Sequence, residues 1–262
     1  MPSSKRAGDS KMEAAIALSG GGSRCIAQLG VLAFLEEKGV KITAVSGSSG
    51  GAIVGALYAM GMCAPEILAF LRDIDYKKLL TINIHQGSLY RFDKAAAFMR
   101  REFDNPAIES LPLHFVCTMV DFDSGEICYK REGDLIDHIL ASCSLTPIFA
   151  PYTIGHHTYI DGGFSDNLPT LPLQNFGKKV IAINVNPFFR RTKKGFFANL
   201  SRALFIMFNT NVKEGKKYAD LVIECAQMGR YSIFDTKNFD RFYRIGYDTA
   251  REMEEEILAL WK

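Results

Sequence analysis

At 262 residues, 48% of them hydrophobic, the chain is long enough to enclose a substantial core. Its net charge of +2 gives no chain-wide electrostatic footprint for nucleic acid. No run of 18 apolar residues occurs, so no membrane-spanning helix is expected, and the six cysteines lack paired spacing, which points to a reducing, cytoplasmic setting.

Residues 1–12 are small and polar, lack the apolar core of a signal peptide, and are expected to form a disordered leader. Residues 13–262 contain no Pro- or Ser-rich linker and no internal repeat, and are expected to form a single domain. Ala14, Ala15, Ile16, Ala17 and Leu18 read as a short buried strand. Ser19-Gly20-Gly21-Gly22-Ser23-Arg24 follows, and then Ile26, Leu29, Leu32 and Leu35 recur at helical spacing. A glycine run between strand and helix exposes consecutive backbone N–H groups, forming a nest for an anion: a phosphate cradle or an oxyanion hole. The Gly-Lys-Ser/Thr of a P-loop is missing, Cys25 stands at the last glycine of the dinucleotide fingerprint, and no acidic residue ends the next strand. A nucleotide site is therefore disfavoured.

The next strand-like stretch, Ile42-Thr43-Ala44-Val45-Ser46, runs into Gly47-Ser48-Ser49-Gly50-Gly51, and a helix-like stretch begins at Ala52. In that context Gly-x-Ser-x-Gly forms a nucleophile elbow, a turn so sharp that Gly47 and Gly51 must lack a Cβ. It presents the Ser49 hydroxyl at a helix N-terminus, where developing negative charge is favoured. Both glycine loops leave neighbouring strands at one edge of a parallel sheet, so the first is placed to serve Ser49 as an oxyanion hole. Read alone, the pentapeptide is equally a Gly/Ser-rich turn without chemistry. Cys25 offers a thiol nearby, but no histidine stands at a suggestive place to activate it.

Farther along, residues 113–119 read as a strand leading to Asp121 and Asp123, and residues 135–141 as a helix. His156 and His157 precede strand-like Tyr159-Ile160, which runs into Asp161-Gly162-Gly163, with Asn167 and Pro169 beyond. The order serine, acid, histidine allows a Ser–His–Asp triad of the α/β-hydrolase kind, with Asp121 or Asp123 as the acid. Against it, only two strands precede Ser49, and adjacent histidines before a strand read as exposed loop residues. His85, His114 and His138 are isolated and read as structural, and no His/Cys/Asp/Glu spacing suggests a metal site. Strands are expected at 180–185 and 220–224 and a helix over 239–260, an alternation that makes a mostly parallel α/β sheet.

Charge is unevenly spread. No acidic residue occurs from Asn167 to Lys213, and residues 188–197, bracketed by Phe188 and Phe197, enclose Arg190, Arg191, Lys193 and Lys194. Cations beside aromatics suit the surface of an anionic bilayer. The loop is open to two readings, peripheral membrane contact or an active-site lid. In the helix-like segment that follows, residues 205–208 are expected in the core. No RNA- or DNA-binding motif accompanies the local excess of cations, so no nucleic-acid partner is expected.

Taken in order, Ser-Gly-Gly-Gly-x-Arg, Gly-x-Ser-x-Gly and Asp-Gly-Gly-x-x-x-Asn-x-Pro resemble the patatin-like phospholipase family, its bacterial type in particular, from Ala14 to Pro169. The resemblance implies a three-layer α/β/α sandwich and a Ser–Asp dyad that hydrolyses acyl esters of phospholipids or related lipids without calcium, another metal or an organic cofactor. It makes Ser49 the nucleophile and Asp161 its general base. Gly20, Gly21 and Gly22 supply the oxyanion donors, and Arg24 steadies that loop. Gly47, Gly51, Gly162 and Gly163 are the supporting glycines. An ordinary aspartate, with a pKa of about 3.9, is poorly matched to taking a serine proton near neutrality, so burial of Asp161 is expected. The chain departs from the family at Cys25, usually glycine, and Gln28, often histidine; these keep a catalytically dead lipid-binding protein as an alternative.

Overall fold

The computed structural model describes residues 12–84, 87–176, 178–188 and 195–262. The expectations placed on residues 1–11, on His85 and on residues 189–194 lie outside the described residues. β1 (Glu13–Leu18) is buried on both faces past its first residue, which is why it reads as an uninterrupted apolar run. α1 (Ile26–Glu37) returns the chain to β2 (Lys41–Ser48), and α2 (Gly50–Ala59) follows after one residue. The turn is thus tighter than the sequence predicts: strand and helix both extend two residues farther toward Ser49.

α3 (Ala64–Arg72), α4 (Tyr76–Leu79), the small hairpin β3 (Thr81–Ile82) and β4 (Tyr90–Arg91), and α5 (Asp93–Phe103) form an excursion before β5 (His114–Asp121). β6 (Ile127–Lys130), α6 (Leu135–Ser142), β7 (Tyr152–Ile154) and β8 (His157–Asp161) come next. β9 (Lys179–Asn184), α7 (Phe196–Lys216), β10 (Leu221–Glu224), α8 (Phe239–Glu252) and α9 (Glu254–Ala259) complete the order. The helix expected over 239–260 is interrupted at Met253, whose backbone (φ −103°, ψ 20°) leaves the helical well.

The main sheet runs β10-β9-β1-β2-β5-β8-β7, parallel from β10 to β5 and antiparallel beyond, with β6 also antiparallel to β5. Helices cover both faces. Ala14, Ile16 and Leu18 of β1 join the core shared with α1, α2 and α8, while Ala15 and Ala17 face a second cluster containing Leu168, Leu173 and Val212 of α7. This is the expected α/β architecture, with a mixed edge.

Register sets the site. Ser48 pairs with Thr118 across β2 and β5, and the next residue of β5, Met119, pairs with Asp161 across β8. Ser49 and Asp161 are therefore level with each other, two strand spacings or roughly 10 Å apart along the sheet, a gap that two converging side chains span.

Candidate active site

Ser49 sits between β2 and α2 with φ 53° and ψ −128°, a conformation that costs a residue with a side chain on the order of 1–3 kcal/mol. The flanking glycines make room for it. A Cβ on Gly47 would collide with the Gly51 backbone, and one on Gly51 would stand 2.5 Å from the Ser19 carbonyl oxygen. The Ser49 N–H donates to Ser142 Oγ at 2.8 Å, a partner at the end of α6 that the sequence did not disclose.

Asp161 is the last residue of β8 and is 1% exposed. Its carboxylate accepts the Gly163 N–H at 2.8 Å and lies within the electrostatic reach of the Ser49 side chain, which lowers its pKa. Burial pushes its pKa up to about 6, against the lowering effect of both groups. A Cβ on Gly162 would strike the Thr118 carbonyl, and one on Gly163 would stand 2.8 Å from Asn167 Oδ1, so both glycines are sterically required beside the carboxylate.

The glycine loop reaches the same place by a different division of labour than expected. The Gly20 N–H donates to the Asn167 carbonyl at 3.0 Å and is therefore not a free donor. What Gly20 contributes is space, since a Cβ there would lie 3.0 Å from Ser49 Cβ. Gly22 opens a short 3-10 turn, Gly22–Cys25, and Gly50 opens α2, positions whose N–H groups have no acceptor within their own helices. Among the described residues the Gly21 N–H likewise has no acceptor. Gly50, which the motif reading passed over, packs directly on the loop: a Cβ there would stand 2.7 Å from the Gly22 carbonyl oxygen.

Arg24 holds the loop from behind. Its buried guanidinium donates from Nε to the Tyr231 carbonyl at 2.9 Å and from Nη1 to Asn186 Oδ1 at 3.4 Å, and Asn186 Nδ2 in turn donates to the Gly20 carbonyl. The two departures from the family converge on one atom. Cys25 Sγ and Gln28 Nε2 both donate to the Ser19 carbonyl, at 3.3 and 2.7 Å, which ties the start of α1 to the end of β1. Burial raises the Cys25 thiol far above the ordinary thiol range, so it is no thiolate nucleophile near neutrality.

The triad does not assemble. His157 is the first residue of β8, four positions or roughly 13 Å along the strand from Asp161. Its side chain is 67% exposed and pairs with Asp121 at 3.3 Å, on the surface. Asp123 lies in the exposed turn after β5. His138 bonds the Asp134 carbonyl at 2.6 Å within its helix, and His114 packs on Phe176. Among the described residues no group of three or more His, Cys, Asp or Glu side chains is arranged to hold a metal ion.

α7 braces the loop that follows Asp161. Asn211 Nδ2 donates to the Gly163 and Phe164 carbonyls at 3.1 and 3.0 Å, and Phe208 meets Phe164 edge to face. The expectation that residues 205–208 lie in the core is corrected here. Ile206 and Met207 are exposed, as is Leu200, while Phe205 and Phe208 are half-buried. Among the positions of α7 whose burial is described, the buried ones, Asn209, Val212 and Gly215, fall in its C-terminal half.

A strained serine at a strand-to-helix turn, a buried carboxylate level with it and amides without acceptors in their own helices thus share one end of a mostly parallel α/β frame. The chain belongs to the patatin-like phospholipase family, whose model matches residues 16–173. It is 25% identical to lysophospholipase nte1 of Emericella nidulans over 287 aligned positions, which take in 92% of this chain and 18% of that protein. It is 30% identical to an uncharacterized NTE family protein of Mycobacterium tuberculosis over 183 positions, 68% of this chain and 51% of that one. The chain thus spans about half, or far less, of the curated relatives it matches. Among solved structures, VipD from Legionella pneumophila shares the fold, with a TM-score of 0.59 at 14% identity over 94% of this chain and 67% of its own.

Proposed function

We propose that the chain hydrolyses acyl esters of phospholipids or related lipids, with Ser49 as nucleophile and Asp161 as general base. The observation that carries this reading is the placement of the strained Ser49 level with the buried Asp161, whose side chain Ser49 reaches and whose pKa burial has raised to about 6, close enough to neutrality to take a proton and give it back. Ser49 Oγ attacks the ester carbonyl as Asp161 takes its proton. The oxyanion is stabilised by the N–H groups of Gly21, Gly22 and Gly50, and the proton passes from Asp161 to the leaving alcohol as the C–O bond breaks. A water, deprotonated by Asp161, then attacks the acyl-enzyme and releases the fatty acid and Ser49. The name lysophospholipase, carried by the fungal relatives, puts single-chain phospholipids first among substrates to try.

The partner proposed for this chemistry is a membrane surface, approached peripherally from a reducing compartment. No helix among the described residues is long and apolar enough to cross a bilayer. Leu200, Ile206 and Met207 form an exposed apolar stripe on α7, the helix that braces the loop after Asp161, and Phe188 is 63% exposed beneath the Arg202 guanidinium. That stripe lies within the stretch from Asn167 to Lys213 that has no acidic residue, a combination suited to anionic lipid.

The test of the site is hydrolysis of a short-chain p-nitrophenyl ester and of lysophospholipid by wild type, Ser49→Ala and Asp161→Asn. Each substitution is expected to abolish turnover while the thermal transition persists. Full activity in Asp161→Asn would remove Asp161 as the base, and full activity in Ser49→Ala would remove the serine mechanism.

A further inference from the structure

The strained turn at Ser49 is held by a residue outside every motif. Ser142, the last residue of α6, is fully buried, and its hydroxyl bridges two backbone groups: it accepts the Ser49 N–H at 2.8 Å and donates to the Thr118 carbonyl at 2.6 Å. Two residues on, the Ser144 carbonyl accepts the Asp161 N–H at 3.1 Å, and the Ser144 hydroxyl is tied to the Leu140 carbonyl at 3.0 Å. Residues 142–144 thus hold the backbone amides of both Ser49 and Asp161. Thr118 closes the frame, being the β5 residue opposite Ser48 and the neighbour of Met119, which pairs with Asp161. Gly162 leaves the space over the Thr118 carbonyl open.

We infer that Ser142 is a positioning residue for acyl transfer: by joining the Ser49 N–H to the Thr118 carbonyl, its hydroxyl fixes the elbow against β5 and sets the reach of Ser49 Oγ to Asp161. The inference rests on the reading of Ser49 and Asp161 as nucleophile and base. Only a group that both accepts and donates meets the requirement. An alanine at 142 deprives the part-buried Ser49 N–H and the buried Thr118 carbonyl of the hydroxyl that joins them, and the elbow is the element free to turn in search of another partner. Ser49 already occupies a sparsely populated conformation, so a lost tether lets it relax toward an ordinary one.

The experiment compares wild type, Ser142→Ala, Ser142→Thr and Ser49→Ala. It reads kcat and KM on a soluble p-nitrophenyl ester from pH 4 to 9, the rate of fluorophosphonate labelling, and amide hydrogen exchange at Ser49 in the folded protein. Ser142→Ala is expected to lower kcat and the labelling rate about 100-fold, the size of effect an ångström of misplacement produces, with KM little changed. Exchange at the Ser49 amide should accelerate. The acid limb of the rate profile should move upward, because a displaced Ser49 side chain no longer lowers the Asp161 pKa. Ser142→Thr, which keeps the hydroxyl, should restore kcat and the limb. Wild-type kcat and an unmoved acid limb in Ser142→Ala would overturn the inference, and so would unchanged exchange at the Ser49 amide. A KM rise that accounts for the whole loss would also overturn it, by making Ser142 a packing residue of the pocket. Turnover retained in Ser49→Ala would instead defeat the reading of the site beneath it.

Discussion

Ser49 and Asp161 stand level with each other two strands apart, within reach of one another's side chains, and the Asp161 carboxylate is 1% exposed. The proposed base must be ionised to act, and burial raises the Asp161 carboxyl to about 6. Hydrolysis of a soluble ester is expected to be low at pH 4 to 5, to rise through a midpoint near the raised pKa, and to level off above it. A kcat/KM profile of the free enzyme checks this, since it reports the groups that must carry or lack a proton. A limb centred where exposed carboxylates titrate would assign the ionisation to another residue.

The same shift makes a claim about stability. Lifting the carboxyl from 3.8 to about 6 means the folded state holds the proton more tightly than the unfolded chain, at a cost of about 3 kcal/mol once both are ionised. The penalty is absent below the unfolded pKa and grows as pH rises to the folded value. Asp161→Asn should therefore unfold at a higher temperature than wild type at pH 8 and gain little at pH 4. Thermal unfolding of both proteins at the two pH values decides it.

α1 and α8 cross at two glycines. A Cβ on Gly30 would stand 2.5 Å from the Tyr247 amide nitrogen, and one on Gly246 would stand 2.6 Å from the Ala27 carbonyl carbon. Both obstacles are backbone, so the helices themselves must part. Gly246→Ala is expected to cost about 3 kcal/mol or more, at the upper end of overpacking, and denaturant unfolding measures the loss. A change within a few tenths of wild type would show that the crossing has slack.

The exposed stripe on α7 yields a prediction that separates binding from chemistry. Replacing Leu200, Ile206 and Met207 together by glutamate should reduce sedimentation with phosphatidylserine vesicles and hydrolysis of vesicle lipid at least tenfold. The rate on a soluble ester should stay within about twofold, because these side chains face away from the core. Equal losses on both substrates would point to damage at the loop after Asp161 that α7 braces.

Cys25 should resist chemistry despite its place beside the site. Its thiol is buried and held far above the pH at which thiolates form. Treatment with iodoacetamide at pH 8 is expected to leave this cysteine unmodified and turnover intact, as mass spectrometry of the peptide that contains it would show. Alkylation at Cys25 with loss of turnover would mean the loop opens to solvent.

Much of the frame is legible in the sequence because the elbow needs positions without a Cβ at fixed spacing, and Gly47 and Gly51 advertise them. The burial that Asp161 requires follows from the chemistry asked of it. Other features are hidden because they depend on contacts distant in sequence. Ser142 meets Ser49 across 93 residues and Arg24 meets Tyr231 across 207, and no local pattern links either pair. The diversion of the Gly20 N–H to Asn167 is invisible for the same reason. Ile206 and Met207 mislead in the opposite sense: hydrophobicity says that a side chain would leave water given a partner, and not whether this fold supplies one.

The sheet order has a consequence for dissecting the molecule. The family match ends at residue 173, yet β9 begins at Lys179 and lies directly beside β1, the strand that leads into the glycine loop. A fragment that stops at 173 would keep every motif and lose the neighbour that covers β1. An apolar, buried strand would then become an open edge, with unpaired N–H and carbonyl groups ready to template pairing with other copies. Sequence similarity and mechanical integrity part company at that point: the motifs end before the strand that covers their flank.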